Sequence, residues 1–179
     1  MKEISLDQLR KKAANIKWFF CDIDGTLTDG GVYYSPEGEL LKQFSLRDGT
    51  GFFLLRQCGI KTGFITTEDS PIVEQRAKKL KIEKFIFGTH QKVNAMETFL
   101  ASEGLSMENV AFIGDELNDV KLLKACGLSF AVGDADHRAK DAADIVCEHF
   151  GGHGAFREAV EFLLDLQGID IDSIIYNKL

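Results

Sequence analysis

Short apolar segments alternate along this chain with longer amphipathic segments, and this alternation constrains the fold more than any other feature. The apolar segments have the length of β-strands and occupy residues 17–23, 61–66, 84–88, 109–114, 128–133 and 143–148. The segments with helical spacing lie near residues 48–58, 70–80, 91–103, 116–126 and 155–167. Strands that are apolar on both faces are typical of a parallel sheet covered by helices. The sequence therefore predicts a doubly wound α/β fold, in which ligands bind at the carboxyl ends of the strands.

Residues 30–46 depart from this alternation and have the pattern of a β-hairpin. Two arms with high strand propensity flank Ser-Pro-Glu-Gly at 35–38, which is a favourable turn sequence. The 179 residues contain no internal repeat and no linker, and this length suits one well-buried domain. We therefore predict a single domain over residues 1–179, with the hairpin as an insertion and residues 149–179 as a C-terminal tail and helix.

Charge and hydropathy disfavour several classes of partner. The net charge of −7 argues against general binding to nucleic acid or to an acidic membrane surface. No stretch reaches the roughly 18 consecutive apolar residues that span a bilayer, and residues 1–17 lack the apolar core of a secretion signal. Four cysteines without a Cys-x-x-Cys pair predict buried thiols in a reducing compartment. We therefore expect a cytoplasmic protein that binds neither nucleic acid nor membrane.

Two carboxylates, Asp22 and Asp24, follow the first apolar segment with one residue between them. Both project to the same side of an extended backbone, so their charges repel unless a cation or a proton lies between them. One carboxylate could attack phosphorus, and the other could protonate the leaving oxygen and then activate water. A Mg²⁺ ion would neutralise the pair. The alternative is a turn with solvated carboxylates, which Gly25 and Thr26 at the end of an apolar strand disfavour.

Three further strand ends carry residues of matching chemistry. Thr66 could contact a phosphoryl oxygen, although capping of the next helix would use the same region. Lys92 opposes the dipole of its helix, so either an anionic partner explains it or it is an ordinary surface lysine. Asp115, Glu116 and Asp119 suit a hard metal ion, and a solvated acidic helix start is the alternative.

Together, the order Asp-x-Asp, Thr, Lys and Gly-Asp-x-x-x-Asp over residues 17–148 resembles the haloacid dehalogenase superfamily of phosphohydrolases. The resemblance implies a phosphatase that works through an aspartyl-phosphate intermediate. It implies that Asp22 is the nucleophile and that Asp24 is the general acid and base. It also implies that Thr66 and Lys92 hold the phosphoryl group.

The same resemblance implies Mg²⁺ as the cofactor. Its ligands would be Asp22, the backbone carbonyl of Asp24, and Asp115. Asp119 and Glu116 would support this metal shell, and Asp119 could also support the lysine of the third motif.

The spacing of these motifs leaves no room for a separate cap domain. A site without a cap is open to water unless another chain covers it. We therefore expect a homo-oligomer. Val32, Tyr33 and Tyr34 of the predicted hairpin are candidate interface residues, and packing against their own domain is the alternative.

One branch of the superfamily is especially similar. Thr-Asp-Gly-Gly at 28–31, Phe-Ser-Leu-Arg-Asp-Gly at 44–49 and Gly-Gly-His-Gly-Ala-Phe-Arg-Glu at 151–158 resemble the 3-deoxy-D-manno-octulosonate 8-phosphate (KDO-8-phosphate) phosphatases and their 2-keto-3-deoxynonulosonate 9-phosphate relatives. The resemblance implies a homotetramer and a phosphorylated sugar-acid substrate. The substrate contacts that it implies are Arg47, Asp48, Gly49, Arg76 and Arg157.

In that branch the glycine-rich C-terminal segment can reach a neighbouring active site. Gly151, Gly152 and Gly154 are therefore predicted to form a mobile lid, although a loop that leads into a helix would use the same residues. If they form a lid, deletion of residues 151–179 slows turnover and leaves the fold intact.

Some of the predicted substrate-contact residues resemble the eight-carbon branch, and others resemble the nine-carbon branch. The eight-carbon branch typically has Gly-Arg where this chain has Thr67-Glu68, and it can have arginine at the position of Phe53. Glu68 with Lys79 resembles the nine-carbon branch, and eleven positions of separation would place both on one helix face. Arg-Asp-Gly at 47–49 resembles the eight-carbon branch. We predict hydrolysis of KDO-8-phosphate, with a nonulosonate 9-phosphate as the alternative.

Two other functional classes share part of the pattern. A response-regulator receiver also uses clustered aspartates, Mg²⁺, a threonine and a lysine, but its phospho-acceptor lies at the third strand. A non-catalytic assembly module of a sugar-nucleotide pathway would have the same fold. The retention of all the motif residues argues against such a module.

Overall fold

The computed structural model describes residues 4–178. Its strands are β1 (Trp18–Cys21), β2 (Thr28–Ser35), β3 (Gly38–Phe44), β4 (Lys61–Ile65), β5 (Lys84–Ile86), β6 (Val110–Gly114), β7 (Leu128–Ala131) and β8 (Ile145–Val146). Its helices are α1 (Leu6–Ala13), α2 (Leu46–Gln57), α3 (Pro71–Leu80), α4 (Lys92–Ser102), α5 (Val120–Ala125), α6 (His137–Ala142), α7 (Ala155–Leu166) and α8 (Ile171–Lys178). A single 3₁₀ turn, Met107–Asn109, precedes β6.

A six-stranded parallel sheet forms the centre of the molecule, with the order β5-β4-β1-β6-β7-β8. The chain builds one half of the sheet outward from β1, then returns to β6 and builds the other half. The strand order therefore reverses between β1 and β6, and in such sheets the crevice at that point binds ligands. The predicted doubly wound α/β fold is confirmed.

Aromatic residues of β1 show how helices cover both faces of the sheet. Consecutive residues of a strand point to opposite faces. Phe19 packs against Phe156 of α7 with ring centroids 5.2 Å apart, whereas Phe20 packs against Phe99 of α4 at 5.7 Å. Phe19 and Phe20 are both fully buried. A strand that is buried on both sides must be apolar throughout, and this requirement explains the run that ends at Asp22.

Three helices, α1, α6 and α8, were not predicted from the apolar pattern. The N-terminal helix α1 is mostly polar, and only Leu9 and Ala13 on it are buried. Its start depends on a capping box, in which the Ser5 hydroxyl accepts a hydrogen bond from the Gln8 amide and the Gln8 side chain accepts one from the Ser5 amide. Helix α5 begins at Val120, four residues later than predicted, because residues 115–119 form a loop with its own hydrogen bonds.

Strands β2 and β3 form the predicted hairpin, separate from the central sheet. Tyr33 and Tyr34 on β2 are 63% and 73% exposed, and Leu40 and Leu41 on β3 are 56% and 57% exposed. Val32 is half-buried. The hairpin therefore presents apolar side chains to solvent.

Helix α7 belongs to the core of the domain. Phe156, Val160, Leu163 and Leu164 have no exposed surface, and Phe156 stacks on Phe52 of α2 with centroids 4.1 Å apart. The expectation that residues 151–179 can be deleted with the fold intact is therefore wrong, because the deletion removes one wall of the hydrophobic core.

The glycine-rich segment before α7 packs against the loop that follows β1. The Gly152 amide donates a hydrogen bond to the Thr26 carbonyl at 3.0 Å, and the Gly151 amide donates one to Asp134 Oδ1 at 2.9 Å. A side chain at Gly151 would overlap the Gly25 carbonyl. Within this chain the glycines thus act as a close-packed loop leading into a helix, which was the alternative to a mobile lid.

No disulfide joins the four cysteines, all of which lie within the described part of the chain. None of the helices among residues 4–178 has the length and apolar content that a bilayer crossing requires.

Candidate active site

The reversal of strand order brings the Asp-x-Asp motif at residues 22–24 and the Gly-Asp-x-x-x-Asp motif at residues 114–119 together. Asp22 follows β1, and its amide donates a hydrogen bond to the Ile113 carbonyl of β6 at 3.0 Å, which continues the pairing of the two strands. Asp115 follows β6 directly. Asp22 is only 4% exposed. The two carboxylates thus lie side by side in the crevice that the sheet topology creates, although 92 residues separate them in sequence.

A buried lysine pairs with this carboxylate cluster. Lys92, at the start of α4, places its Nζ atom 2.9 Å from Asp22 Oδ1 and 2.6 Å from Asp119 Oδ1. The lysine side chain is 1% exposed. Burial opposes its charge, but the two carboxylates outweigh this effect and raise the pKa of Lys92. Lys92 therefore has the anionic partners that were one of its two predicted interpretations, and it is not an ordinary surface lysine.

Both carboxylate oxygens of Asp119 contact neighbouring residues of the site. Its Oδ1 atom contacts Lys92, and its Oδ2 atom accepts hydrogen bonds from the amides of Asp115 at 3.0 Å and Glu116 at 3.3 Å. Asp119 is fully buried. These contacts fix both the lysine and the loop that carries Asp115. Glu116 is exposed and its Oε1 atom accepts a hydrogen bond from the Leu117 amide.

The loop after β1 leaves one oxygen of Asp115 available. Thr26 donates a hydrogen bond to Asp115 Oδ1 at 2.7 Å. Gly25 has a φ of +83°, and Asp115 Oδ2 lies where its β-carbon would be if it had one. A residue with a side chain would be strained in this conformation and would also displace the carboxylate. Gly25 is therefore required both for the turn and for the close approach of Asp115.

The charges of this cluster suit a divalent cation. Asp22, Asp115 and Asp119 each offer an oxygen, and these oxygens lie within 4.8 Å of one another. Lys92 balances one of the three negative charges, so two remain. Burial and the charge of Asp119 raise the pKa of Asp22 well above its usual range, against the effect of Lys92. Mg²⁺ prefers carboxylate oxygens as ligands. A bound ion would also offset the repulsion between these carboxylates and so favour their ionised form.

The two carboxylates best placed as ligands are Asp22 and Asp115. Asp119 already contacts Lys92 and two backbone amides, so its role is to hold Lys92 and the loop that carries Asp115. This arrangement agrees with the predicted metal set of Asp22, Asp115 and the carbonyl of Asp24. The ligand assignment itself stays a prediction.

The second motif lies beside the cluster. Thr66 follows β4, is 2% exposed, and accepts a hydrogen bond from the Glu68 amide at 3.2 Å. Its hydroxyl proton is not used in that bond and can be donated to an oxygen of a ligand. Thr66 and Glu68 line the same cavity as Asp22, Asp24 and Asp115.

The cavity has a volume of about 370 Å³, which is within the range of small-molecule sites. A larger groove of about 860 Å³ runs along β5 and α4, but no carboxylate lines it. The smaller cavity is the candidate active site because the reactive groups face it. Its outer wall comes from the hairpin, with Val32, Tyr34, Glu39 and Lys42.

Two hairpin residues at this wall were missed by the sequence analysis. Lys42 Nζ lies 2.6 Å from Asp24 Oδ1 and 3.0 Å from Glu39 Oε1. Glu39 also accepts a hydrogen bond from the hydroxyl of Ser70, just before α3. A lysine and a glutamate three residues apart on a hairpin are ordinary surface residues by pattern, so only the three-dimensional arrangement reveals them.

The structure does not bring the predicted substrate contacts of residues 47–49 to this cavity. The Asp48 carboxylate is buried and accepts hydrogen bonds from the amides of Gly154 at 3.2 Å and Arg157 at 2.9 Å, so it caps the N-terminus of α7. Gly49 packs closely against Arg76. Within one chain, Asp48 and Gly49 thus have structural roles.

The predicted arginines also lie outside the cavity. Arg76 donates a hydrogen bond to the Ser45 carbonyl at 2.9 Å and lies over the ring of Phe44. Arg157 forms an ion pair with Glu161 at 2.6 Å. Arg47 and Arg157 line a separate cavity of about 320 Å³ beside the start of α7.

The expected geometry of Glu68 and Lys79 is wrong. Glu68 lies in the loop before α3, which begins only at Pro71, so the two residues do not share a helix face. Glu68 lines the active-site cavity, whereas Lys79 is exposed on the last turn of α3.

The protonation of Asp115 predicts a pH-dependent affinity for Mg²⁺. Burial, aided by Asp119 and opposed by the hydrogen bond from Thr26, raises the pKa of Asp115 to about 7. The ion binds the ionised carboxylate, so affinity must rise with pH. Ionisation of Asp115 goes from about a tenth at pH 6 to about nine tenths at pH 8, and this change alone raises the affinity for Mg²⁺ about tenfold. Isothermal titration calorimetry at the two pH values measures this change, and an affinity that is flat or falls with pH would contradict it.

Comparison with known proteins first defines the class. A family model described as haloacid dehalogenase-like hydrolase matches residues 71–156, and the parallel sheet with its carboxylate cluster belongs to the same class. The chain is a hydrolase of this superfamily.

Individual relatives then define the family. The KDO-8-phosphate phosphatase KdsC of Haemophilus influenzae is 39% identical over 160 residues, which are 89% of each chain. KdsC of Escherichia coli K12 is 38% identical over 157 residues, 88% of this chain and 84% of that protein. The crystal structure of KDO-8-phosphate phosphatase from Moraxella catarrhalis, in complex with magnesium ion, phosphate ion and KDO, is 33% identical with a TM-score of 0.91, covering 98% of this chain and 100% of that chain. The chain belongs to the KDO-8-phosphate phosphatase family.

Proposed function

We propose that this protein hydrolyses KDO-8-phosphate in a Mg²⁺-dependent reaction, with an aspartyl-phosphate formed on Asp22. The observation that carries the proposal is the buried contact of Asp22 with Lys92, at 2.9 Å, next to Asp115 at the reversal of strand order. The relatives named for this activity match nearly nine tenths of the chain at 38–39% identity.

The reaction has two steps that use the same two carboxylates. Asp22 attacks phosphorus, the bond from phosphorus to the sugar oxygen breaks, and Asp24 gives a proton to that oxygen. Asp24 then takes a proton from a water molecule that attacks phosphorus. The bond between Asp22 and phosphorus breaks, inorganic phosphate leaves, and the Asp22 carboxylate is regenerated. The proton that Asp24 loses in the first step is recovered in the second.

Lys92 and Thr66 serve to hold the phosphoryl group. Lys92 is a fixed cation, because Asp119 holds its Nζ atom at 2.6 Å in addition to its contact with Asp22. The hydroxyl of Thr66 is available as a donor at the neighbouring strand end. Donors that are fixed before the reaction stabilise the charge of the transition state without having to reorganise.

A Mg²⁺ ion held by Asp22, Asp115 and the Asp24 carbonyl would neutralise the phosphate oxygens and the repulsion between the carboxylates. The raised pKa values of Asp22 and Asp115 support this assignment, because they show that the chain alone does not compensate these charges.

Glu68 supports a second candidate substrate, a 2-keto-3-deoxynonulosonate 9-phosphate. Its carboxylate is exposed on the wall of the cavity, where a longer sugar acid would pass. Arg47, Asp48 and Gly49 match the eight-carbon family in sequence, and the identity to KDO-8-phosphate phosphatases extends over most of the chain. We therefore place KDO-8-phosphate first.

A homotetramer would explain two features of the single chain. Within residues 4–178 no separate cap domain covers the cavity, and the hairpin beside it exposes Tyr33, Tyr34, Leu40 and Leu41. Burial of these side chains against a neighbouring subunit would remove apolar surface from water and close the cavity. Arg47 and Arg157, which lie outside their own chain's cavity, would then be available to a neighbour's substrate. We also propose a cytoplasmic location.

Turnover of KDO-8-phosphate with added Mg²⁺ tests the proposed function. We expect phosphate release that stops with EDTA and resumes with excess Mg²⁺. A panel of nonulosonate 9-phosphates under the same conditions measures selectivity. If KDO-8-phosphate is not hydrolysed while p-nitrophenyl phosphate is, the chemistry stands and the substrate assignment fails.

A further inference from the structure

Strand β3 places a buried lysine on the carboxylate that the proposed function uses as acid and base. The side chain of Lys42 is 2% exposed, and its Nζ atom lies 2.6 Å from Asp24 Oδ1. We propose that Lys42 is a positioning residue, which holds Asp24 by one oxygen so that the other oxygen exchanges the proton with the leaving group. This inference rests on the proposed function for the role of Asp24.

The two oxygens of Asp24 are not equivalent in the structure. Oδ1 accepts a hydrogen bond from Lys42, whereas Oδ2 is buried and has no hydrogen-bond partner among residues 4–178. Rotation about the last side-chain bond would exchange the two oxygens. The charge-assisted hydrogen bond to Lys42 opposes this rotation and therefore selects Oδ2 for proton transfer.

Lys42 is itself held in place by a chain of contacts. Glu39, on the same strand, contacts Lys42 at 3.0 Å and accepts a hydrogen bond from the Ser70 hydroxyl. Ser70 is buried at the start of α3, shortly after Thr66. The contacts link the hairpin to the loops that carry Asp24 and Thr66. Lys42 thus combines a fixed position with a direct contact to a reacting group.

A purely structural role for Lys42 makes a different prediction from a positioning role. If Lys42 only anchors the hairpin, its loss slows all substrates by the same factor. If it positions Asp24, its loss slows those substrates whose leaving oxygen needs a proton, because only their first step depends on the acid. The parameter kcat/KM reports this step, since it includes events up to the release of the leaving group.

The experiment compares phenyl phosphate with p-nitrophenyl phosphate, whose leaving group departs without protonation. For Lys42→Met we expect kcat/KM to fall about 100-fold with phenyl phosphate and less than about threefold with p-nitrophenyl phosphate. Lys42→Arg should recover part of the loss. Adding Lys42→Met to Asp24→Asn should cause no further loss, because both changes remove one function. Circular dichroism checks folding, and Lys42→Gln replaces Lys42→Met if the latter does not fold.

Lys61→Met is the matched control, because Lys61 pairs with Glu103 at the opposite end of β4. It should leave the ratio of the two substrates unchanged. Equal losses for both substrates with Lys42→Met, or no loss for either, would overturn the proposal. These measurements do not use a sugar phosphate. A failure of the KDO-8-phosphate assignment is therefore distinguishable from a failure of the role of Lys42.

Discussion

The substitution Asp22→Asn should abolish turnover, with kcat lowered by about 10⁴-fold or more. An amide nitrogen cannot form the aspartyl-phosphate, and the amide oxygen is a weak nucleophile. The geometry around it should persist, because Lys92 keeps its contact with Asp119 at 2.6 Å. The variant also removes one of three crowded carboxylates. We therefore expect the metal-free variant to be at least as stable to urea as the metal-free wild type.

Steady-state kinetics with p-nitrophenyl phosphate and Mg²⁺ measure this effect, and urea denaturation measures stability. Asp7→Asn is the control, since Asp7 lies exposed on α1. Its loss should leave kcat unchanged and should lower the free energy of unfolding by no more than about 1 kcal/mol. Retention of more than about a hundredth of the activity by Asp22→Asn would contradict the assignment of the nucleophile. A large loss of stability would contradict the account of crowded charges.

The substitution Phe156→Ala should have the largest effect on stability, with a loss of about 3–5 kcal/mol in the free energy of unfolding. Phe156 has no exposed surface, and it joins α7 to α2 through Phe52 at 4.1 Å and to the sheet through Phe19 at 5.2 Å. Alanine would leave a cavity at the meeting point of these three elements. Urea denaturation followed by circular dichroism measures the change.

Phe162→Ala is a matched control on the same helix. Phe162 is 36% exposed and touches only the edge of Phe130 at a centroid distance of 6.4 Å among the described ring contacts. We expect a loss of about 1 kcal/mol. Equal losses for the two variants, or a small loss for Phe156→Ala, would show that α7 is peripheral, as the lid hypothesis required.

Much of the fold was predictable because its physical signal is local. A strand buried on both faces must be apolar, and a helix between such strands must be amphipathic, so each segment carries its own signature. The mostly polar α1 gave no such signature, since only Leu9 and Ala13 are buried on it. The central role of α7 was missed for a different reason. Its glycine-rich approach matches a flexible segment by composition, whereas the contacts of Gly151 show close packing.

The site, like the fold, was predictable where the signal is local in sequence and was missed where it depends on long-range contacts. Asp22, Asp24, Thr66 and Asp115 closely follow strand ends, and parallel strands must bring these ends to one edge of the sheet. Lys92 begins the helix that follows β5, at the same edge. Lys42 and Glu39 approach that edge from the hairpin, whose orientation depends on long-range contacts such as the one between Glu39 and Ser70. The sequence separation between a hairpin residue and a strand end does not predict whether the two lie close together in the fold.

The residues predicted to contact substrate illustrate a further limit. Asp48 and Arg76 were taken from resemblance alone, and within this chain they cap α7 and support the turn before α2. A motif shared by a family can reflect packing as well as binding. Arg47 and Arg157 line a cavity separate from the active site of their own chain, so a contact with substrate by either arginine depends on the proposed tetramer.

The comparison of kcat/KM for KDO-8-phosphate and for a 2-keto-3-deoxynonulosonate 9-phosphate, both with Mg²⁺, tests the substrate assignment and the metal site together. We expect the eight-carbon substrate to be preferred by at least about tenfold, and we expect EDTA to abolish turnover of both substrates. A preference for the nine-carbon substrate would contradict the assignment and would point to Glu68 as the determinant. Turnover of KDO-8-phosphate that persists in EDTA would contradict the metal site.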